Sequence, residues 1–364
     1  MIPMVDLQRQ YKTLKTEIDL AIQGVLDSAQ FILGSNVAEL EKEISLYHNV
    51  SHAIGVASGT DALLLSLRAC GIKAGDEVIT TPFTFFATAE VISLLSATPV
   101  FVDIVPETFN IDPRKIEEKM TKKTKAIIPV HLFGHPADMD PVIDVARKHN
   151  LKIIEDCAQA FGATYKGTKV GTLGDCGCFS FFPSKNLAGC GDGGMIITKD
   201  EDTAKHIRML RDHGSAIKYH HTMLGYNSRL DEIQAAIIRV KLKKIDEFNR
   251  RRQINADLYR NFITRDDVIL PTEMPGCAHV YHQFTLRAAT RDRIMEVLKR
   301  NNISSAIYYP IPLHKQEVFT HQNINGTNLP QSEQCAMEVL SLPMFPELEK
   351  EELHYISHVI NDAP

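Results

Sequence analysis

Between about residues 50 and 200 the chain alternates short β-rich runs with helical patterns. The runs are HAIGVAS, DEVITTP, TPVFVDIV, KAIIPVHLF, KIIEDCA, CGCFSFF and GGMIIT. Between several of them lie DALLLSLRACG, FFATAEVISLLS and DPVIDVARKHN, whose apolar residues recur at helical spacing. Such alternation predicts an α/β fold with a largely parallel sheet. The order of strands within that sheet cannot be read from order along the chain. A long helical stretch is predicted from about Arg229 to Phe262, with Ile233, Ala236, Ile237 and Val240 on one face. Beyond it, strand-like HQFTLR, helix-like RDRIMEVLKRN and a Pro-rich YYPIPLH predict a smaller α+β domain. The division is set near residue 245, giving residues 1–245 and 246–364.

Length and composition narrow the class. A chain of 364 residues, 44% hydrophobic and 23% charged, suits one large and one smaller globular unit. A net charge of -5 without a basic stripe argues against nucleic acid as a partner. No apolar stretch approaches the ~18–20 residues that span a bilayer. The opening MIPMVDLQRQY does not resemble a signal peptide, so a cytoplasmic location is expected. The seven cysteines are odd in number and scattered, without a C-x-x-C pair, which speaks against a disulfide framework or a zinc site. Cys176 and Cys178 could share a strand face, and read as small buried apolar residues.

Four strings could carry chemistry. Ser58-Gly59-Thr60-Asp61 precedes an apolar helix, which fits an N-cap and equally a helix terminus open to a phosphate. Asp156 closes the apolar run KIIE, at the strand end where open α/β sheets place ligands, with Gln159 just beyond. There it could cap a turn or pair with a cationic ring nitrogen. Lys185, in FSFFPSKNL, follows an apolar strand and precedes a Gly-rich stretch. In a desolvated pocket its amine would be neutral and nucleophilic, whereas on an open loop it would be an ordinary solvated lysine. Residues 189–194, GCGDGG, match a dinucleotide fingerprint formally, but a strand-like MIIT follows where a helix is required. His220 and His221, without metal-ligand spacing, read as loop residues that could face the substrate.

In this order, along almost the whole chain, the strings resemble the sugar aminotransferases of the DegT/DnrJ/EryC1/StrS family, which have the aspartate-aminotransferase-like (type I PLP) fold. The resemblance rests on VDLQRQY, FILGSNVAELE, GVASGTDAL, TPFTFFATAEVI, PVHLFGHPADMD, IIEDCAQAFGA, FSFFPSKNL, GDGGMI, GYNSRLDEIQAA, YYPIPLHKQ and LSLPMFP. It implies pyridoxal 5'-phosphate as cofactor, with Lys185 as the lysine that bonds to it and moves the proton. It implies Asp156 as the carboxylate facing the pyridine nitrogen and Gln159 as the residue beside the phenolic oxygen. Phe85 would stack on the ring, and Gly59, Thr60 and Ser180 would cradle the phosphate. Asn227 would reach the phosphate of a neighbouring subunit, so a homodimer with shared active sites is implied.

L-Glutamate as donor and a nucleotide-linked keto sugar as acceptor follow from the same resemblance. KYHH, GYNSRLDEIQAA, YYPIPLHKQ and LSLPMFP look most like enzymes that aminate C3 of UDP-2-acetamido-2-deoxy-3-oxo-glucuronate for surface polysaccharides such as O-antigen lipopolysaccharide. Those relatives carry His-Tyr-Pro where this chain has Tyr308-Tyr309-Pro310, and a dTDP-3-keto-6-deoxyhexose is the alternative acceptor. Tyr308 and Tyr309 are expected at the substrate. Arg229 is expected either to read the uronate carboxylate or to pair with Asp231 or Glu232. A dehydratase of the same fold would have histidine in place of Lys185, and a non-catalytic regulator would not need Lys185, Asp156 and Gln159 together.

Overall fold

The structure is a computed structural model that describes residues 1–320 and 328–363. Seven strands build its main sheet: β1 (His52–Val56), β2 (Glu77–Thr80), β3 (Thr98–Phe101), β4 (Thr124–Ile127), β5 (Lys152–Asp156), β6 (Cys176–Ser180) and β7 (Gly194–Thr198). Their order across the sheet is β1-β7-β6-β5-β4-β2-β3. The five strands from β6 to β3 run parallel, while β7 is antiparallel to both β6 and β1. The expected parallel sheet is therefore present with one reversed strand near its edge. That strand is the MIIT run after the glycine cluster. It leaves no helix where a dinucleotide fingerprint would need one.

The helix Gly59–Ala69 lies on this sheet and buries every residue from Ala62 to Leu67. Leu65 and Leu67 pack with Ile54, Ile128 and Ile196. Each such leucine contributes roughly 1.5–3 kcal/mol relative to exposure. Cys176 and Cys178 belong to the same core and are free thiols. They are the small apolar residues their spacing suggested. Asn150, in the left-handed region at φ 54°, ends the helix Met139–His149 and turns the chain back into β5.

The long helix expected over 229–262 is two helices, Glu232–Leu242 and Ile245–Phe262. Ser228, Arg229 and Leu230 lie before the first, and Lys243–Lys244 separate the two. No glycine or proline marks the break in the sequence. Packing makes it: the first helix lies against Leu7–Ser28 and Ser35–His48, the second against Lys350–Asn361. One straight rod could not reach both. The second sheet is antiparallel, with β9 (Phe284–Ala288) between β8 (Val268–Ile269) and β10 (Val339–Leu342). Ile2 joins this region by pairing with Ile303, and Val5 packs on its core. Among the described residues, no helix is long and apolar enough to cross a membrane.

Candidate active site

The parallel strands point their carboxyl ends at a cavity of about 470 Å³. Asp156, the last residue of β5, enters it with only 6% of its surface accessible. One carboxylate oxygen accepts the Thr88 hydroxyl at 2.8 Å, the other the Ala158 N–H at 3.1 Å. Burial pushes this carboxyl above its ordinary range, while the two hydrogen bonds and the nearby Lys185 pull the other way. Two donors leave acceptor capacity on a carboxylate that can take about four.

Lys185 lines the same cavity. It sits on a turn closed by its own N–H donating to the Phe182 carbonyl at 2.9 Å. It is half-buried, and its accessible surface faces the cavity. Desolvation lowers the amine to about 8, with Asp156 opposing the shift. A lysine so placed has a substantial neutral fraction near neutral pH, as nucleophilic and proton-transfer chemistry require.

A third wall is the start of the helix Gly59–Ala69. Ser58 caps it, its hydroxyl accepting from the Asp61 N–H at 3.0 Å. The Gly59 and Thr60 amides, as the first two of the helix, have no intrahelical acceptor and lie at the cavity. Ser180, at the end of β6, faces them so closely that a Cβ on Gly59 would stand 2.7 Å from the Ser180 Cβ. Gly194 approaches closer still: a Cβ there would lie 2.3 Å from the Ser58 carbonyl oxygen. The last glycine of GCGDGG thus serves a close backbone approach, while Gly189, Gly191 and Gly193 make room for the side chains of Gln234 and Leu230.

Gln159 holds its amide between two partners, accepting from the Phe133 N–H at 2.7 Å and donating to the Tyr309 hydroxyl at 3.1 Å. Phe85, 57% exposed, stands at the cavity with its ring 6.3 Å from that of Tyr309. Tyr308 also lines the cavity, and burial raises the phenols of both tyrosines.

Asn227 and Arg229 are not part of this wall. Asn227 is exposed and bridges by backbone to Asp212. Arg229 pairs with Asp212 at 3.3 Å, not with Asp231 or Glu232. Glu232 is engaged elsewhere: its carboxylate accepts the N–H groups of Asn36 and Val37 at 2.9 and 2.8 Å, capping the helix Ser35–His48. Thr88, His282 and Gln283 complete the cavity without having been singled out in the sequence. Thr88 could have been suspected from its i,i+4 spacing to Thr84 beside Phe85. His282 and Gln283 come from the region after residue 262, and no local pattern marks them.

A buried group of His131, Glu155 and Cys157 has the makings of a metal site. The His131 and Glu155 lone pairs are already taken. His131 Nδ1 accepts the Ala137 N–H at 2.9 Å, so Nε2 donates to Glu155 at 3.0 Å. Glu155 also accepts the N–H groups of Gly171, Leu173 and Gly174.

A buried carboxylate with spare acceptor capacity, a neutral-prone amine and an open helix terminus thus surround one cavity. Over residues 12–361 the chain matches the DegT/DnrJ/EryC1/StrS aminotransferase family. The chain belongs to that family. It is a PLP-dependent aminotransferase of the family's α/β fold, and the carboxylate, the amine and the free amides around the cavity fit pyridoxal phosphate. The close-packed Gly59–Ser180 cradle admits an anion at the helix terminus, where the free amides and dipole favour negative charge. When bound, the cofactor supplies a pyridinium ring that withdraws electrons from the carbon bearing the amine.

The chain is 50% identical over 358 residues to the "pleiotropic regulatory protein" of Geobacillus stearothermophilus, covering 98% of this chain and 96% of that one. It is 50% identical over 359 residues to the UDP-N-acetyl-3-dehydro-alpha-D-glucosamine 3-aminotransferase of Acidithiobacillus ferrooxidans, with coverages of 99% and 97%. With the UDP-2-acetamido-2-deoxy-3-oxo-D-glucuronate aminotransferase of Pseudomonas aeruginosa it shares 43% identity over 349 residues, covering 96% of each chain. Among solved structures, S. venezuelae DesV superposes with a TM-score of 0.97 at 40% identity, covering 99% and 98% of the two chains. The Bacillus subtilis protein ntda, solved with bound PMP, superposes with a TM-score of 0.93 at 32% identity, covering 99% and 85%.

Proposed function

We propose that this aminotransferase moves an amino group from L-glutamate to C3 of a UDP-linked 2-acetamido-3-oxo sugar whose C6 is uncharged. The reaction rests on one observation: Lys185 and Asp156 share a buried cavity with an anion-ready helix terminus. Lys185 would hold the cofactor, and its free amine would move the proton at the substrate carbon. Asp156, its Oδ2 steadied by Thr88, would keep the ring nitrogen protonated. Gly59, Thr60 and Ser180 would hold the phosphate, Phe85 would cover the ring, and Gln159 would stand at its phenolic oxygen. Tyr308 and Tyr309 border the sugar. The regulatory name of one relative does not displace this reading, because a regulator would not need the Lys185–Asp156 pair.

The acceptor follows from charge. Among the described residues lining the cavity, Lys185 is the one lysine or arginine, and Arg229 is engaged with Asp212. Within this chain's own wall a C6 carboxylate would meet no cation besides Lys185, which the cofactor engages, whereas a hydroxymethyl group needs none. The relative named for a 3-dehydro-glucosamine is also more similar than the one named for the uronate. We further take the enzyme as a cytoplasmic homodimer, supported by the exposure of Asn227 away from its own cavity. We divide each chain near residue 245, where a helix begins that packs on Lys350–Asn361.

The test is a panel of three acceptors with glutamate: UDP-2-acetamido-2-deoxy-3-oxo-glucose, its C6 uronate, and a dTDP-3-keto-6-deoxyhexose, with products read by mass spectrometry. The neutral UDP sugar is expected to exceed the uronate in kcat/KM by at least about tenfold, the equivalent of about 1.4 kcal/mol. A preference for the uronate would overturn the charge argument. Amination of the dTDP sugar alone would overturn the choice of nucleotide.

A further inference from the structure

Lys185 is carried by a turn and not by a helix or strand, so something else must fix it. The next residue does. Asn186 is buried, and its Nδ2 donates to the Val280 carbonyl at 3.0 Å and to Asn249 Oδ1 at 2.8 Å. Asn249 belongs to the helix Ile245–Phe262 and itself donates to the Phe161 carbonyl at 2.9 Å. A backbone carbonyl can only accept, so the amide orientation of Asn186 is determined and its Oδ1 faces His282 Nδ1 at 3.2 Å. His282 must then carry its proton on Nδ1. Its Nε2 accepts from Gln283 Nε2 at 3.4 Å. His282 is buried, lines the cavity beside Lys185, and is held neutral by desolvation.

We infer that Asn186 and His282 are positioning residues, a clamp that ties the Lys185 turn to the Val280–Gln283 segment and so aims the amine into the cavity. This rests on Lys185 being the residue that bonds to the cofactor. The clamp needs a donor from residue 282 and both faces of an amide at residue 186. His282→Asn keeps a donor at the position of Nδ1, while His282→Leu removes it. Asn186→Ala removes all three bonds.

The experiment uses the full chain, stripped of cofactor with hydroxylamine and re-loaded with pyridoxal phosphate as the probe. The rate at which the bound cofactor's absorbance develops is followed from pH 6 to pH 10, and the bond is trapped with borohydride and located by peptide mass. Wild type is expected to accelerate with pH as the Lys185 amine loses its proton, half-maximal near the value of about 8. His282→Leu and Asn186→Ala are expected to load at least about tenfold more slowly, the rate equivalent of about 1.4 kcal/mol, which is no more than the loss of one to three hydrogen bonds would cost. His282→Asn should stay within about threefold of wild type. Equal loading by wild type and Asn186→Ala would overturn the clamp, as would an equal loss in His282→Asn and His282→Leu. If His282→Leu does not fold, Asn186→Ala against His282→Asn makes the same comparison. Lys185→Ala separates the two levels of the reading. If it traps the cofactor as wild type does, the assignment of Lys185 fails, whatever the clamp variants do.

Discussion

Glu155 and Asp156 are neighbours on β5, both buried, and they face opposite sides of the sheet as successive strand residues must. Glu155 meets a closed set of four donors: three backbone amides and the imidazole of His131. Asp156 meets two, and the remainder of its surroundings is cavity. The same functional group is thus a finished structural knot on one face and an open valence on the other. Burial alone does not distinguish them. What does is whether the surrounding backbone already supplies the hydrogen bonds a carboxylate can accept.

Breaking the open side should affect turnover most. Asp156→Asn keeps the shape but cannot hold a ring nitrogen protonated. We expect kcat/KM to fall by roughly 100- to 1000-fold, in line with the loss of a preorganised electrostatic partner. Cofactor should still bind, since the helix terminus is untouched. Steady-state kinetics with absorbance of the bound cofactor checks both statements, and near-normal turnover would remove Asp156 from its role.

Breaking the closed side should affect stability and leave turnover alone. In Glu155→Gln one oxygen becomes an NH2 group facing the N–H donors around it. At least one buried donor is left unpaired, at a cost of about 1–3 kcal/mol. Denaturant unfolding should show that loss while kcat/KM at low temperature stays near wild type. A large kinetic defect in a folded Glu155→Gln protein would erase the distinction between the two faces.

The smallest effect sharpens the comparison. Thr88→Val removes one of the two donors on Asp156 and leaves the rest of the cavity in place. A net hydrogen bond contributes about 0.5–1.5 kcal/mol, so turnover should fall by roughly 2- to 13-fold. The Thr88 bond favours the charged carboxylate and lowers its pKa. Removing it raises that pKa, so the acid limb of the pH–rate profile should move to higher pH. Thr88→Ser should restore both the rate and the limb. An unchanged profile in Thr88→Val would show that Asp156 does not depend on this bond.

Much of this was legible in the sequence, and the boundary of legibility has a physical basis. Asp156, Lys185 and Gly59 stood out because each lies at or just past an apolar run, and ends of parallel strands and starts of helices converge on one side of such a sheet; the family resemblance chose between the structural and functional readings that each left open. The antiparallel turn of β7 was not readable, since a buried strand has the same composition in either direction. The break at Lys243–Lys244 was invisible because packing against two different sets of helices, and no local breaker, creates it. His282 and Gln283 reach the cavity from about 100 residues beyond Lys185, and pairings over such distances leave no periodic trace. Arg229 shows the converse: its position two residues from Asn227 suggested a substrate contact, but Asp212 holds it.

The pairing of Ile2 with Ile303 has a consequence for how the protein is made. Ile2 leaves the ribosome some 300 residues before its partner, a delay of roughly 15–60 s at ordinary synthesis rates of about 5–20 residues per second. During that interval the seven-stranded sheet can assemble, while residues 2–5 have no surface to rest on. Closing so large a loop from a free chain would cost about 5 kcal/mol in entropy. If the sheet has already gathered most of the intervening residues, the effective loop is much shorter when Ile303 arrives. The seam between the start of the chain and the second sheet is therefore the natural last stitch in vectorial folding.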